Sequence, residues 1–204
     1  MYKYLLKRLF DLMLSVLALP LLAMITLAVG FSIWLEDKGS VFFVASRRGM
    51  NGKIFKMLKF RSMKMNADDI RNKDNSTFNS RTDPRVTRVG RFLRATSIDE
   101  LPQILNVIKG DMSLIGPRAP IPREGIEYED LNEMQRKRLT VRPGITGYAA
   151  ALYRNAISPD EKLKIDCDYA DNVSFLLDLK IMMWTIITVF SRKNVYRNHN
   201  ERRK

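Results

Sequence analysis

Residues 12–35 form a run of 24 residues without a charge, interrupted only by Ser15, Pro20, Thr26, Gly30 and Ser32. At about 1.5 Å per helical residue, that run can cross a bilayer core of roughly 30 Å. Three arrangements compete for such a run. A secretory signal would have an apolar core of about 7–15 residues closed by small residues, whereas this run is longer and ends in Trp34-Leu35-Glu36-Asp37. A spanning helix meets two objections. Lys3, Lys7 and Arg8 precede the run, and Lys38, Arg47, Arg48 and Lys53 follow it, so crossing would leave one basic flank on the side that the positive-inside rule disfavours. Pro20 also lies inside the run, where its missing N–H removes a backbone bond and kinks a helix. A re-entrant helical hairpin, dipping into one leaflet and returning, answers both objections. Residues 1–37 then form the membrane segment with both flanks cytoplasmic, and Trp34 is an interface anchor.

The remaining length, out of 204 residues, suits one domain. With 46% hydrophobic residues the chain can bury a core. Its formal charge of +13, from 35 Lys and Arg against 22 Asp and Glu, favours a polyanionic partner: nucleic acid, anionic lipid or a phosphate-rich substrate. One cysteine, Cys167, excludes an intrachain disulfide framework, and one histidine, His199, leaves no Cys/His zinc site and no Ser-His-Asp triad. Chemistry must therefore rest on carboxylates, Lys, Arg, hydroxyls or a metal held by oxygen. Cys167 reads as a small buried residue.

Residues 41–44 form a short β-type run. Asn51-Gly52 then marks a tight turn, and 54–63 read as the partner strand or the entry into a helix. Residues 66–83 are polar and long for a connection, as in a lid or a disordered segment. A helix is expected over 99–109, where Leu101, Ile104, Leu105 and Ile108 share one face. Ser97-x-x-Glu100 resembles a capping box, yet that start would place Pro102 where its N–H is needed. With Asp99 at or beside the cap, Pro102 falls in the tolerant first turn. Residues 110–123 are loop-rich, 127–139 read as a charged helix, and Arg142-Pro143-Gly144 opens a turn. The apolar run 175–190 carries Asp178 and Lys180, so it lies in an interface or a core rather than spanning. The tail 192–204 is basic and solvated, within reach of anionic lipid. The expected architecture is α+β and helix-dominated. It combines the membrane hairpin with a compact cytoplasmic-face domain over 38–191, holding a small β-hairpin and interfacial amphipathic helices.

The chemistry centres on Asp99-Glu100. Adjacent carboxylates are common on helix surfaces, but Lys59, Arg61, Arg88, Arg91, Arg94, Arg118 and Arg142 lie in or beside loop-rich segments. A helix amino terminus suits phosphate, and carboxylates beside phosphates suggest a bridging Mg²⁺.

Several segments together resemble the monotopic bacterial phosphoglycosyl transferases, the bacterial sugar transferase family. They are Lys59-Phe60-Arg61-Ser62-Met63, Asp99-Glu100-Leu101-Pro102-Gln103 with Asn106, the run from Lys109 to Arg118, and Arg142-Pro143-Gly144-Ile145-Thr146-Gly147. The likeness extends from Lys7 to about Thr185. It implies transfer of a sugar 1-phosphate from a UDP-sugar to polyprenol (undecaprenyl) phosphate, giving polyprenyl-diphosphate-sugar and UMP as the first membrane step of bacterial glycoconjugate assembly. It implies Asp99 as nucleophile forming a covalent aspartyl-phosphosugar, Glu100 as its partner, both binding Mg²⁺, and a place on the cytoplasmic face of the inner membrane. On this reading Lys59, Arg94, Arg118, Arg142 and Asp166 bind substrate or support the site. The partners are UDP-sugar, polyprenol phosphate and membrane lipid, without nucleic acid, and a homo-oligomer is compatible. No further transmembrane domain of the kind found in larger relatives is expected. Two departures stand out. Leu19 precedes Pro20 where the family has serine, and Ala150 and Tyr153 replace a glutamine and a glycine. The rival from another class is a membrane-anchored basic scaffold holding anionic lipid or nucleic acid, which accounts for the charge and the apolar run but not for carboxylates among the cations.

Overall fold

The computed structural model describes residues 2–70, 78, 80, 82–154 and 156–191. A π-helical turn, Tyr2–Leu6, runs into helix α1, Lys7–Asp37, which continues without interruption through Pro20. Together they make the one helix among the described residues long and apolar enough to cross a membrane. Most of its side chains are exposed, including Leu17, Leu21, Met24, Leu27 and Phe31. Lys38 ends the helix in the left-handed region at φ 52°, its N–H bonded to the Trp34 carbonyl.

Strands β1 (Phe42–Arg48) and β2 (Ile54–Phe60) then pair antiparallel, Phe42 opposite Phe60 and Arg48 opposite Ile54. Asn51 and Gly52 supply the positive φ values, 53° and 80°, that reverse the chain. The expected hairpin is present: of residues 54–63, 54–60 form its second strand, and none of them enters a helix. Of the expected lid over 66–83, much lies outside the described residues.

Helix α2, Arg88–Thr96, begins at Thr87, whose side chain accepts from the Gly90 N–H at 2.9 Å. Its cations are therefore helical, not part of a loop. A 3₁₀ turn, Ile98–Glu100, follows, and helix α3 spans Gln103–Lys109 behind Pro102. Neither Ser97 nor Asp99 caps α3: the 3₁₀ turn runs into it, so Asp99 sits a turn upstream. Pro102 still lies where no N–H is required.

Strand β3 (Ser113–Ile115) pairs in parallel with β4 (Gly144–Thr146), a sheet not foreseen within the loop-rich reading. Between them helix α4 is short, Glu133–Arg138, because its capping box of Asn132 and Gln135 starts it there instead of at 127. Helices α5 (Tyr148–Tyr153), α6 (Pro159–Asp171) and α7 (Phe175–Ser191) complete the chain. The expected α+β, helix-dominated class holds, with two two-stranded sheets among the described residues.

The core lies in three clusters. Ile115, Val141, Tyr169 and Ile181 join α6 and α7 to the parallel sheet. Phe55, Met57, Val107 and Met112 join the hairpin to α3. Ile33, Phe60 and Leu93 join α1, β2 and α2. Ser15 Oγ and Gln103 Nε2 are buried with no hydrogen-bond partner among the described residues, but the buried charge in α7 is paired. Asp178 of α7 is buried and takes Lys7 Nζ at 2.6 Å and the Tyr169 hydroxyl at 2.7 Å. This explains how a carboxylate fits in an apolar helix. Cys167 is buried, as expected of it.

Candidate active site

The motif Lys59-Phe60-Arg61-Ser62 ends strand β2, and each side chain reaches a different element. Lys59 Nζ lies 2.7 Å from Glu100 Oε1. Phe60 is in the core. Arg61 is buried and holds the Asp37 carboxylate at the end of α1 through two guanidinium nitrogens. Ser62 Oγ accepts from Arg94 Nε of α2 at 2.9 Å. Position in the strand therefore fixes Lys59 against the 3₁₀ turn, and Asn106 of α3 secures that distance. Its side chain accepts from the Leu58 N–H at 2.9 Å and donates to the Lys56 carbonyl at 2.8 Å, taking the place of a neighbouring strand.

Glu100 Oε1 also receives both Arg118 terminal nitrogens at 3.3 Å. Burial opposes ionisation of Glu100, but Lys59 and then Arg118 outweigh it and hold its carboxyl down at about 2. Asp99 goes the other way. Burial pushes its carboxyl up to about 6, with Lys59 opposing and the Glu100 charge adding. Arg94, Arg118 and Arg154 also act on Asp99 by charge. The pair is thus one committed anion and one carboxyl poised near neutrality, among four cations.

Arg118 is positioned by groups behind it. Arg138 donates to the Arg118 carbonyl at 2.6 Å and to Asp166 Oδ2 at 2.7 Å. Asp166 is buried, and burial pushes its carboxyl up to about 6 against the pull of Arg138. Arg118 itself keeps an exposed side chain. Three glycines allow its loop to form. A Cβ on Gly116 would come within 2.3 Å of the Arg142 carbonyl oxygen, and one on Gly144 within 2.1 Å of the Gly116 nitrogen. A Cβ on Gly147 would meet the Gly116 carbonyl oxygen at 2.1 Å.

The structure therefore brings together Asp99, Glu100, Lys59, Arg94 and Arg118, with Asp166 acting through Arg138. Arg142 is placed elsewhere: its Nε donates to the Gly110 carbonyl at 3.1 Å at the carboxyl end of α3, near Arg8. Two residues were missed. Arg138 was hidden in a charged run, and Arg154 ends a segment read mainly for its departures. Arg154 is held at φ 48° with its guanidinium 2.7 Å from Ser97 Oγ, two residues before Asp99.

Mg²⁺ was the expected cofactor. Among the described residues no group of three or more Asp, Glu, His or Cys could hold a metal alone. Asp99 and Oε2 of Glu100 are nonetheless oxygen donors of the type Mg²⁺ takes when substrate phosphates complete its shell.

Residues 2–192 match the sequence profile of the bacterial sugar transferases. The chain is 41% identical to the uncharacterized sugar transferase EpsL of Bacillus subtilis, over 96% of this chain and 92% of that protein. It is 39% identical to the UDP-glucose:undecaprenyl-phosphate glucose-1-phosphate transferase of Escherichia coli, over 94% of this chain and 42% of that protein. With the galactosyl transferase CpsE of Streptococcus agalactiae the identity is 44%, over 76% of this chain and 35% of that protein. It thus spans well under half the length of some curated relatives and nearly all of others. With a profile match over almost its whole length, the chain belongs to the bacterial sugar transferase family.

Proposed function

We propose that the chain transfers a sugar 1-phosphate from a UDP-sugar to undecaprenyl or a similar polyprenol phosphate, on the cytoplasmic face of a bacterial inner membrane. The observation that carries this reading is the Asp99–Glu100 pair among Lys59, Arg94, Arg118 and Arg154. Cations around a paired carboxylate suit a diphosphate substrate. The undecaprenyl-phosphate transferases among the relatives support the choice of substrates.

In this reading an oxygen of Asp99 bonds to the sugar-bearing phosphorus, the bond from that phosphorus to the UMP oxygen breaks, and UMP leaves. An oxygen of the polyprenol phosphate then attacks the same phosphorus and releases Asp99, giving the polyprenyl-diphosphate-sugar. Covalent catalysis divides one hard displacement into two easier ones. Lys59 keeps Glu100 ionised, Arg118 and Arg94 clamp phosphate oxygens, and Asp166 holds Arg138 and hence the Arg118 loop. Mg²⁺, bound by Asp99 and Glu100, would offset diphosphate charge.

The membrane part of the proposal is a re-entrant α1. Two observations support it. Before the apolar run, Arg8 donates to the carbonyls of Val107 at 2.7 Å and Ile108 at 3.1 Å. After it, Glu36 accepts from the N–H groups of Arg88 and Val89. Both flanks are thus fastened to one folded body. The outer face of α7, with Leu176, Met183, Ile187 and Phe190 exposed, suits a membrane interface beside it.

Trapping tests the mechanism. Incubation with a UDP-sugar and no lipid acceptor should add one phosphosugar to the intact mass, and Asp99→Asn should abolish that adduct. An adduct of equal yield in Asp99→Asn would overturn the assignment. UMP release with UDP-glucose, UDP-galactose and UDP-N-acetylgalactosamine, with undecaprenyl phosphate present, identifies the sugar.

A further inference from the structure

A cavity of about 520 Å³ opens where α1 leaves its apolar run, and none of the residues assigned to transfer lines it. Its cations are Lys64, Arg88 and Arg91, all exposed. Their side chains form no bond to another described residue. The two carboxylates at its edge are already engaged. Glu36 accepts from the Arg88 N–H at 2.6 Å and the Val89 N–H at 3.1 Å, and Asp37 is held by Arg61 and the Gly39 N–H. Asp37 is thus neutralised by Arg61 while Glu36, bonded only to backbone N–H groups, keeps its charge, and among the described residues the three cations outnumber that one carboxylate at the cavity. Met65, Pro84 and Val86 supply an apolar side to the cavity. Phe31, Trp34 and Leu35 stand exposed on the last turns of α1, just ahead of Glu36 in the chain.

Charge and apolar surface are stacked in an order that a nucleotide or free phosphate would not need. The apolar run ends at Leu35 and the cavity begins at Glu36. If α1 enters the bilayer, that boundary is the depth at which hydrocarbon gives way to headgroups. Clustered Lys and Arg at that depth attract anionic lipid. We propose that the cavity holds the phosphate of one anionic glycerophospholipid, bound by Lys64, Arg88 and Arg91, with its acyl chains running into the leaflet that the apolar run of α1 enters. This rests on the membrane placement proposed for α1. It assigns the site to a resident lipid rather than to either substrate of transfer.

Native mass spectrometry of the full chain, delipidated in detergent and titrated with phosphatidylglycerol or phosphatidylcholine, tests it. The wild type should retain one phosphatidylglycerol per chain in preference to phosphatidylcholine. Lys64→Gln/Arg88→Gln/Arg91→Gln should weaken that binding on the order of a hundredfold, from about fivefold per cation. A matched triple at the exposed Lys53, Lys109 and Lys164, each to Gln, should leave it unchanged. Circular dichroism verifies that both triples keep their helices. Equal retention of phosphatidylcholine, equal loss in the matched triple, or no loss in the cavity triple would overturn the proposal. UMP release measured in parallel separates the two readings. Lipid retention without UMP release refutes the transferase and leaves this site standing. A raised KM for undecaprenyl phosphate with unchanged phosphatidylglycerol retention would make the cavity an acceptor site and overturn the proposal.

Discussion

Asp99 and Glu100 are neighbours on one 3₁₀ turn, yet their carboxyls are driven in opposite directions. Glu100 receives Lys59 and Arg118 directly and is held at about 2. Asp99 is desolvated, its carboxylate accepts no hydrogen bond from the described residues, and it is pushed up to about 6. A nucleophilic carboxylate must be ionised, so kcat/KM should fall as pH drops through about 6, reporting the free enzyme. Lys59 is the main charge favouring ionised Asp99. Removing it disfavours the anion, so Lys59→Met should move the acid limb to higher pH as well as lower the plateau. A pH–rate profile of UMP release for the two proteins checks the direction. A limb that stays in place in Lys59→Met would mean that another group titrates. Both carboxylates were legible in the sequence because the motif around them is dense. Arg138 was not, since its role depends on the Asp166 carboxylate and the Arg118 carbonyl, which come together only through folding.

At the scale of elements, the site depends on two crossings. In the first, Asn106 replaces a missing strand on β2 and so sets Lys59 against Glu100. In the second, β3 and β4 approach so closely at Gly116, Gly144 and Gly147 that a Cβ would strike backbone, which cannot swing aside as a side chain can. Gly144→Ala should therefore cost about 1–3 kcal/mol of stability by overpacking, a Tm loss of several degrees for a chain this size. It should also reduce UMP release by displacing the Gly116-Pro117-Arg118 segment. Thermal melting and the release assay together check this, and an unchanged Tm would show that the crossing yields. The β1–β2 hairpin was legible because Asn51-Gly52 is a local signal with a fixed backbone requirement. The parallel β3–β4 pair was not: three-residue strands separated by a long crossover have no periodicity to read. The start of α3 was misplaced for a related reason. Ser97-x-x-Glu100 has a capping pattern, but Ser97 adopts φ 59° to end α2 and its hydroxyl oxygen accepts from Arg154.

For the whole molecule, the apolar helix is fastened at both ends to the same body. Lys7 pairs with Asp178 of α7 and Asp11 accepts from the Leu114 N–H. At the other end, Ile33 packs with Phe60 and Leu93, and Asp37 is held by Arg61. Crossing a bilayer would require one of these sets to part, leaving a buried Asp178 or Arg61 without its partner, which is costly. The length and hydropathy of the run were plain in the sequence, but not which of its ends the folded domain would hold. The re-entrant proposal predicts that single cysteines at Tyr4 and Lys53, both exposed, react with a membrane-impermeant maleimide only in inverted vesicles. Leu27→Cys, exposed on the middle of α1, should be protected from either side until detergent is added. Cys167 is buried and gives a low background. Labelling of Tyr4→Cys in intact spheroplasts, with Lys53→Cys reactive only in inverted vesicles, would make α1 a spanning helix. The contacts of Lys7, Arg8 and Asp11 with the domain would then have to break in the membrane.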